Sequence, residues 1–170
     1  EPMATVVPEP TPEPTPVVEE PPAAPPLTDG EILAIARAAN DGEIEHAKLA
    51  KTRAKHKRVK EFANMMAKEH ADANKRAAAL TKRAELSATD SEASRKLSED
   101  AKTRSEALKD VAKGAEFDRA YMQHQVEVHT MVLDMLTNQM VPAAQNPELK
   151  AEVEAMRGSV EAHLGQAREI

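Results

Sequence analysis

Hydrophobic positions recur every three or four residues in four long segments of the chain, which predicts amphipathic helices. These segments cover about residues 29–53, 57–84, 115–140 and 147–168. A weaker stripe of the same period predicts a further, mostly exposed helix at about 91–112. No segment of the sequence alternates between apolar and polar residues as a half-buried strand does. The pattern therefore predicts an all-α fold, a four-helix bundle with an extra helix in the crossover connection.

Residues that favour helix ends support these boundaries. Thr28 and Glu31 have the three-residue spacing of a capping box, which marks the start of the first helix. Asn146 followed by Pro147 is typical of an N-cap and a first helical position. Gly114 separates the crossover helix from the next main helix. The helix starts can therefore be predicted more closely than periodicity alone allows.

The first 26 residues have a different composition. They hold ten of the twelve prolines and no Lys or Arg, so neither helix nor sheet is expected there. They also hold five of the 29 acidic residues, which leaves 24 acidic against 23 basic residues in the rest. We therefore expect a disordered Pro/Glu-rich linker over residues 1–26 and a nearly neutral bundle domain over residues 27–170.

Composition excludes several classes of function. The net charge is −6 and aromatic residues are almost absent, so nucleic acid is not an expected partner. Without cysteine there is no disulfide, thiolate nucleophile or zinc–thiolate site. The chain begins with Glu1 instead of Met. We therefore expect a removed segment upstream: a signal peptide, a lipid anchor that tethers the chain to a membrane, or an artificial cut.

Helical wheels place several polar side chains within or beside the apolar faces of the main helices. They are Glu43, His46, His70, Asp118, Gln125 and His129, with His124 and His163 at the margins. Most of them lie near the middle of their helices, so an antiparallel bundle brings them to one level. A buried polar group is costly unless it is hydrogen-bonded, paired or coordinated. The sequence therefore predicts a mutually satisfied polar layer inside the bundle.

Two interpretations of this layer remain open. Imidazoles with methionines nearby suit a transition metal, copper or iron, that the protein binds or senses. The candidate metal-site residues are His70, His129, His163, Glu43, His124 and Asp118. Asp118 would orient an imidazole instead of binding metal directly. In the alternative, the chain is a non-catalytic structural or interaction protein of the cell envelope, whose polar layer only fixes helix packing and whose partner is another envelope protein.

Catalysis is less favoured by the sequence. Glu43 and His46 have the Glu-x-x-His spacing of carboxylate-bridged dimetal bundles, but the second such pair that a dimetal oxidase needs is missing. The sequence also contains no Gly-rich phosphate loop or nucleophile elbow. We therefore expect a binding protein and not an enzyme.

Five stretches of the sequence resemble a bacterial family of exported helical proteins, the domain of unknown function 4142, whose members are often labelled outer membrane proteins. They are GEIEHAKLA, VKEFANMMAKEHADAN, GAEFDRAYMQHQVEVHTMVLDML, VPAAQNPELK and HLGQA, in that order. The resemblance covers about residues 29–168. It implies a ferritin-like antiparallel bundle and a periplasmic or outer-membrane-associated location.

The same resemblance implies a set of characteristic polar positions. They are Glu43, His70, Asp118, Tyr121, His124, His129 and His163. His46 departs from the family, in which a hydrophobic residue is usual at this position. The family is similar to another exported, His- and Met-rich helical family linked to copper handling. The resemblance therefore adds to the metal hypothesis.

Overall fold

The computed structural model describes residues 24–170, which form helices joined by short connections. The elements are α1 (Asp29–Arg53), α2 (Lys57–Arg83), α3 (Glu92–Asp110), α4 (Ala115–Met135), a π-helical segment (Leu136–Met140), α5 (Val141–Ala143) and α6 (Pro147–Arg168). The predicted linker over residues 1–26 lies almost wholly outside the described residues. Within residues 24–170, no helix combines the length and apolar character needed to cross a membrane.

The predicted all-α bundle is confirmed. Helix α1 packs against α2, and α4 packs against α6, so two helical hairpins form the bundle. Helix α3 lies in the connection between the hairpins and packs mainly along α1. The caps are also as predicted: Thr28 and Glu31 form the capping box of α1, and Asn146 accepts hydrogen bonds from the first turn of α6.

The third main helix differs from its prediction at its C-terminal end. The α-helix ends at Met135 and is followed by a π-helical turn, in which the Val141 N–H donates to the Leu136 carbonyl. Pro142 follows at once, and a proline has no N–H with which to continue an α-helical ladder. The wider turn keeps Leu136 and Met140 buried while the chain bends towards α6.

The hydrophobic core consists of two clusters with a polar layer between them. On α1 the first cluster ends at Ala36 and the second begins at Ala47, whereas on α4 the second ends at Met122 and the first begins at Val132. The buried polar residues between them are Asn40, Glu43, His46, His70, His124, Gln125, His129 and His163. The bundle therefore holds all of its buried histidines, together with Glu43, in one layer with apolar packing above and below it.

Two aspartates form hydrogen bonds between the hairpins. Asp29, at the start of α1, accepts hydrogen bonds from the backbone N–H groups of Gln145 and Asn146, just before α6. Asp118, in the first turn of α4, accepts from the backbone N–H groups of Lys55 and His56, just before α2. Each hairpin thus supplies a carboxylate that satisfies N–H groups at a helix start of the other hairpin.

Candidate metal centre

Three imidazoles from three helices converge in the polar layer: His70 on α2, His129 on α4 and His163 on α6. Each is buried, with 6%, 2% and 3% of its surface exposed. The ring centroids lie 5.4 to 6.0 Å apart, and one nitrogen from each ring lies within 4.8 Å of the other two. We call these residues the three-histidine centre.

A chain of hydrogen bonds fixes the tautomer of His70. A carboxylate can only accept, so Asn74 Nδ2 donates to Asp41 Oδ1 at 2.7 Å. Asn74 Oδ1 then accepts from Asn40 Nδ2 at 3.0 Å, and this leaves Asn40 Oδ1 to accept from His70 Nδ1 at 2.8 Å. The proton of the neutral ring is therefore on Nδ1, and the lone pair is on Nε2.

The other two rings are oriented by groups that only accept. His129 Nδ1–H donates to the backbone carbonyl of Gln125 at 2.9 Å, so the lone pair of His129 lies on Nε2. His163 Nε2–H donates to the Glu69 carboxylate at 2.6 Å, so its lone pair lies on Nδ1. Such outer hydrogen bonds are typical of histidines that bind metal.

The lone pairs of the three rings have no partner. His70 Nε2, His129 Nε2 and His163 Nδ1 are buried and make no hydrogen bond within residues 24–170. A buried polar atom without a partner is costly, and a cation bound by the three nitrogens would remove that cost. A transition metal binds imidazole nitrogen at about 2.0–2.1 Å, so small side-chain shifts would bring the three nitrogens around one ion. The donor set therefore fits a transition metal.

Burial also lowers the pKa of histidines in the three-histidine centre, which favours the neutral rings that bind a cation. Desolvation lowers the pKa of His70 to about 4 and lowers the pKa of His129 as well, despite the opposing charge of Glu43. Both imidazoles are therefore neutral at pH 7, and metal binding does not have to displace a proton from either ring.

A second group of ligand-type side chains lies beside the first: Glu43 and His46 on α1 and His124 on α4. His46 Nε2–H donates to the Ala101 carbonyl at 2.9 Å, and a hydrogen bond of 3.0 Å joins His46 Nδ1 to His124 Nε2. Glu43 Oε1 lies 3.6 Å from His46 Nδ1. We call these residues the Glu–His–His group. Burial lowers the pKa of His124 to about 4, so His124 is also neutral at pH 7.

Glu43 is charged although it is buried. Burial raises its pKa, but the contact with His46 at 3.6 Å outweighs this and holds the pKa well below its usual range. Glu43 Oε2 has no hydrogen-bond partner in the described part of the chain. Burial, and then the charge of Glu43, raise the pKa of the Tyr121 hydroxyl well above its usual value. Glu43 is therefore an anion between the two histidine groups, and Tyr121 stays protonated.

Each group opens to its own surface groove. A groove of about 260 Å³ reaches His70 and His163 between α2 and α6, with Met156 in its lining. Another of about 390 Å³ reaches Glu43, His46 and His124 between α1, α3 and α4. A small ion can therefore approach either group from the surface.

The structure places five of the six predicted metal-site residues in this layer. His70, His129 and His163 share one centre, and Glu43 and His124 belong to the neighbouring group. The prediction that Asp118 orients an imidazole is wrong, because both of its oxygens accept backbone N–H groups at the start of α2. Asp118 lies on the inward arc of α4, but one helical turn or more before the histidines, where it meets the α1–α2 turn.

Sequence reasoning did not find Asn40 and Glu69, which orient His70 and His163. Asn40 lies three residues before Glu43 on the same face of α1, so its inward position was detectable. Glu69 is partly exposed on α2, and nothing in its spacing signals a contact with α6. The wheel also gave no sign that His46 would hydrogen-bond to His124.

Comparisons with known proteins bear on family and fold. A search of curated proteins finds no match to the sequence. The fold is similar to a solved structure described as CopM in the Cu(II)-bound form, with a TM-score of 0.64 and 16% sequence identity, covering 85% of this chain and 95% of that one. At this identity the likeness shows the fold alone. Residues 14–170 match the domain of unknown function DUF4142, and the protein is therefore a member of the DUF4142 family.

Proposed function

We propose that this protein binds one transition-metal ion, copper or iron, at the three-histidine centre formed by His70, His129 and His163. A single observation carries the proposal: three buried imidazole nitrogens converge with their lone pairs free, and each ring is held by an acceptor at its other nitrogen. The protein would hold or sense the ion and would not turn over a substrate.

Copper is the first candidate. Imidazole nitrogens suit copper, iron and zinc, and a thioether favours copper in its reduced state. Met156 lines the same small cavity as His70 and His129. The likeness in fold to a copper-bound protein is consistent with this choice. A location in the bacterial envelope, which the family resemblance implies, would expose the protein to exchangeable copper.

The test is metal titration of the chelator-treated full chain, followed by calorimetry with Cu, Fe, Mn and Zn salts. We expect tight binding of one ion and a loss of affinity of at least about tenfold in His70→Ala, because one ligand is missing. His56 is exposed, so His56→Ala is the matched control and should bind as the wild type does. If none of these metals binds at micromolar concentration, the proposal is wrong.

A structural role is the second candidate, since the same histidines join helices. His163 links α6 to α2, His70 links α2 to α1, and His46 links α1 to α3. If this is their only role, replacing His70 or His129 lowers the free energy of unfolding while no metal changes the melting temperature of the wild type. A bound metal instead raises that temperature with metal concentration.

A further inference from the structure

We propose that Glu43, His46 and His124 form a second metal-binding position, and that Glu43 is shared between it and the three-histidine centre. The proposal rests on the proposed function, since the first position is the three-histidine centre. It extends that function from one ion to a pair of ions linked by a buried carboxylate.

The donor atoms of the Glu–His–His group have the spacing that one ion needs. His46 Nδ1 lies 3.0 Å from His124 Nε2 and 3.6 Å from Glu43 Oε1. Ligands on one ion, with bonds of about 2.0–2.2 Å, lie at similar distances from each other. All three side chains are buried, and the relevant atoms of the group lie within 4.8 Å of one another.

His46 is oriented for this role by α3. Its Nε2–H donates to the Ala101 carbonyl, so Nδ1 is the nitrogen that faces Glu43 and His124. Helix α3 can approach so closely because Gly42 has no side chain: a Cβ on Gly42 would lie 2.8 Å from the Ala101 Cβ. A metal at this position would replace the proton between His46 Nδ1 and His124 Nε2, and that proton would leave to solvent.

Glu43 is the residue common to both positions. Its Oε1 faces His46, whereas its buried Oε2 has no hydrogen-bond partner within the described range. Glu43 also lines the small cavity that contains His70 and His129. Glu43 Oε2 is therefore available to an ion beside this cavity, and the carboxylate charge would offset part of the charge of two cations in a buried layer.

The second position has its own route to solvent. The groove between α1, α3 and α4 is lined by Asp100 and Glu127, which pair with Lys96 and Arg104, and by Met131, which is 41% exposed. An ion can thus reach the Glu–His–His group without passing through the three-histidine centre. Exposed thioether sulfur at the same groove is a soft ligand for an arriving copper ion.

The two positions should fill in order. At the three-histidine centre one nitrogen of each ring has no hydrogen-bond partner among the described residues, so a metal bound to these nitrogens breaks no hydrogen bond. At the second position the ion must displace the hydrogen bond between His124 and His46. We therefore expect the three-histidine centre to fill first and the Glu–His–His group to fill at higher metal concentration.

The experiment is equilibrium dialysis of the full chain against Cu(II), with elemental analysis, and electron paramagnetic resonance of the loaded protein. We expect two copper ions per chain in the wild type and one in His124→Ala. Two Cu(II) ions that share a carboxylate couple magnetically, so the spin count per copper should fall when the second ion binds. Glu43→Gln should restore the uncoupled signal or lose the second ion. His56→Ala is the control and should behave as the wild type.

Each outcome decides the matter. If the wild type and His124→Ala both bind one copper ion per chain, the second position is wrong and the proposed function stands. A second ion that persists in both His124→Ala and Glu43→Gln with unchanged spectra lies elsewhere and also overturns the inference. If the wild type binds no copper, the second copper position is wrong, and the proposed function is then decided by the titrations with iron, manganese and zinc. Circular dichroism at the working temperature confirms that each variant is folded, and a second variant, His46→Gln, replaces any that is not.

Discussion

His163 on α6 donates its Nε2–H to Glu69 on α2 over 2.6 Å, and this bond leaves Nδ1 as the nitrogen available to a metal. A partly exposed carboxylate thus decides which nitrogen of a buried ring faces the three-histidine centre.

Removing the carboxylate of Glu69 should weaken metal binding without removing a ligand. In Glu69→Ala the His163 ring loses the acceptor that fixes its tautomer and orientation, and such changes typically cost about 10- to 100-fold in metal affinity. Calorimetry at pH 7 measures the effect. Glu61 is an exposed glutamate of the same helix, so Glu61→Ala is the control. Equal affinity in the two variants would contradict the assigned role of Glu69.

The tautomers of the buried histidines should be visible by nitrogen NMR of the metal-free protein. His70 and His129 are expected to carry their proton on Nδ1, and His163 to carry it on Nε2.

In Asn40→Ala the His70 Nδ1–H loses its acceptor, so the protein should lose about 1–3 kcal/mol of unfolding free energy. The His163 signal should not change. A His70 ring protonated on Nε2 in the wild type would refute the hydrogen-bond chain from Asp41.

The metal-free protein should lose stability on mild acidification. His70 has a folded-state pKa of about 4, whereas an exposed histidine titrates near 6.5. Between these values the unfolded chain binds a proton that the folded ring does not. Stability therefore falls as pH falls from about 6.5 to 4, by about 1.4 kcal/mol per pH unit for each such group. His124 adds to the same trend.

Urea unfolding at a series of pH values measures this loss, and His70→Leu should have a shallower pH dependence than the wild type. The raised pKa of His46 acts in the opposite sense, since its contribution is present at low pH and is lost as pH rises. An identical slope in wild type and His70→Leu would show that His70 does not titrate as stated.

Asp118 should matter for stability and not for metal affinity. In Asp118→Ala two part-buried backbone N–H groups at the start of α2 lose their acceptor, and losing such a helix cap costs about 1 kcal/mol. Thermal unfolding compared with Glu116→Ala, an exposed acid of the same helical turn, isolates this effect. A loss of metal affinity in folded Asp118→Ala would instead restore Asp118 to the metal site.

Glycine to alanine changes at two helical positions should have opposite effects. Alanine favours helix over glycine by about 1 kcal/mol, so Gly158→Ala, where a Cβ meets nothing within 4 Å, should stabilise the protein. At Gly42 the new Cβ would lie 2.8 Å from the Ala101 Cβ, and crowding of this kind costs about 1–3 kcal/mol. Gly42→Ala should therefore destabilise the protein and weaken the second metal position, as measured by melting temperature and copper stoichiometry.

The sequence was informative about helices because their signals are local. The capping box at Thr28, the Asn146–Pro147 pair and a hydrophobic period each depend on residues a few positions apart, and they gave nearly correct bounds. The end of α4 was wrong by five residues, because a π-helical turn keeps the same buried face while it changes the hydrogen-bond ladder. The wheels also turned His70 and His129 inward, where they are buried.

The partners of the inward residues could not be predicted in the same way. Which ring nitrogen meets Asn40, Glu69 or the Ala101 carbonyl depends on how far each helix is shifted along its neighbour. A helical wheel gives an angle and not that shift. Asp118 shows the limit, since its inward angle was correct and its contact was not.

The two aspartate contacts between the hairpins affect how the protein unfolds. Asp29 belongs to one hairpin and satisfies N–H groups of the other, and Asp118 does the reverse. If the hairpins separate, both aspartates lose their hydrogen bonds, and so do the N–H groups at the helix starts that they satisfy. Each hairpin therefore stabilises the helix termini of the other as well as its core. The bundle should unfold in one cooperative transition instead of hairpin by hairpin.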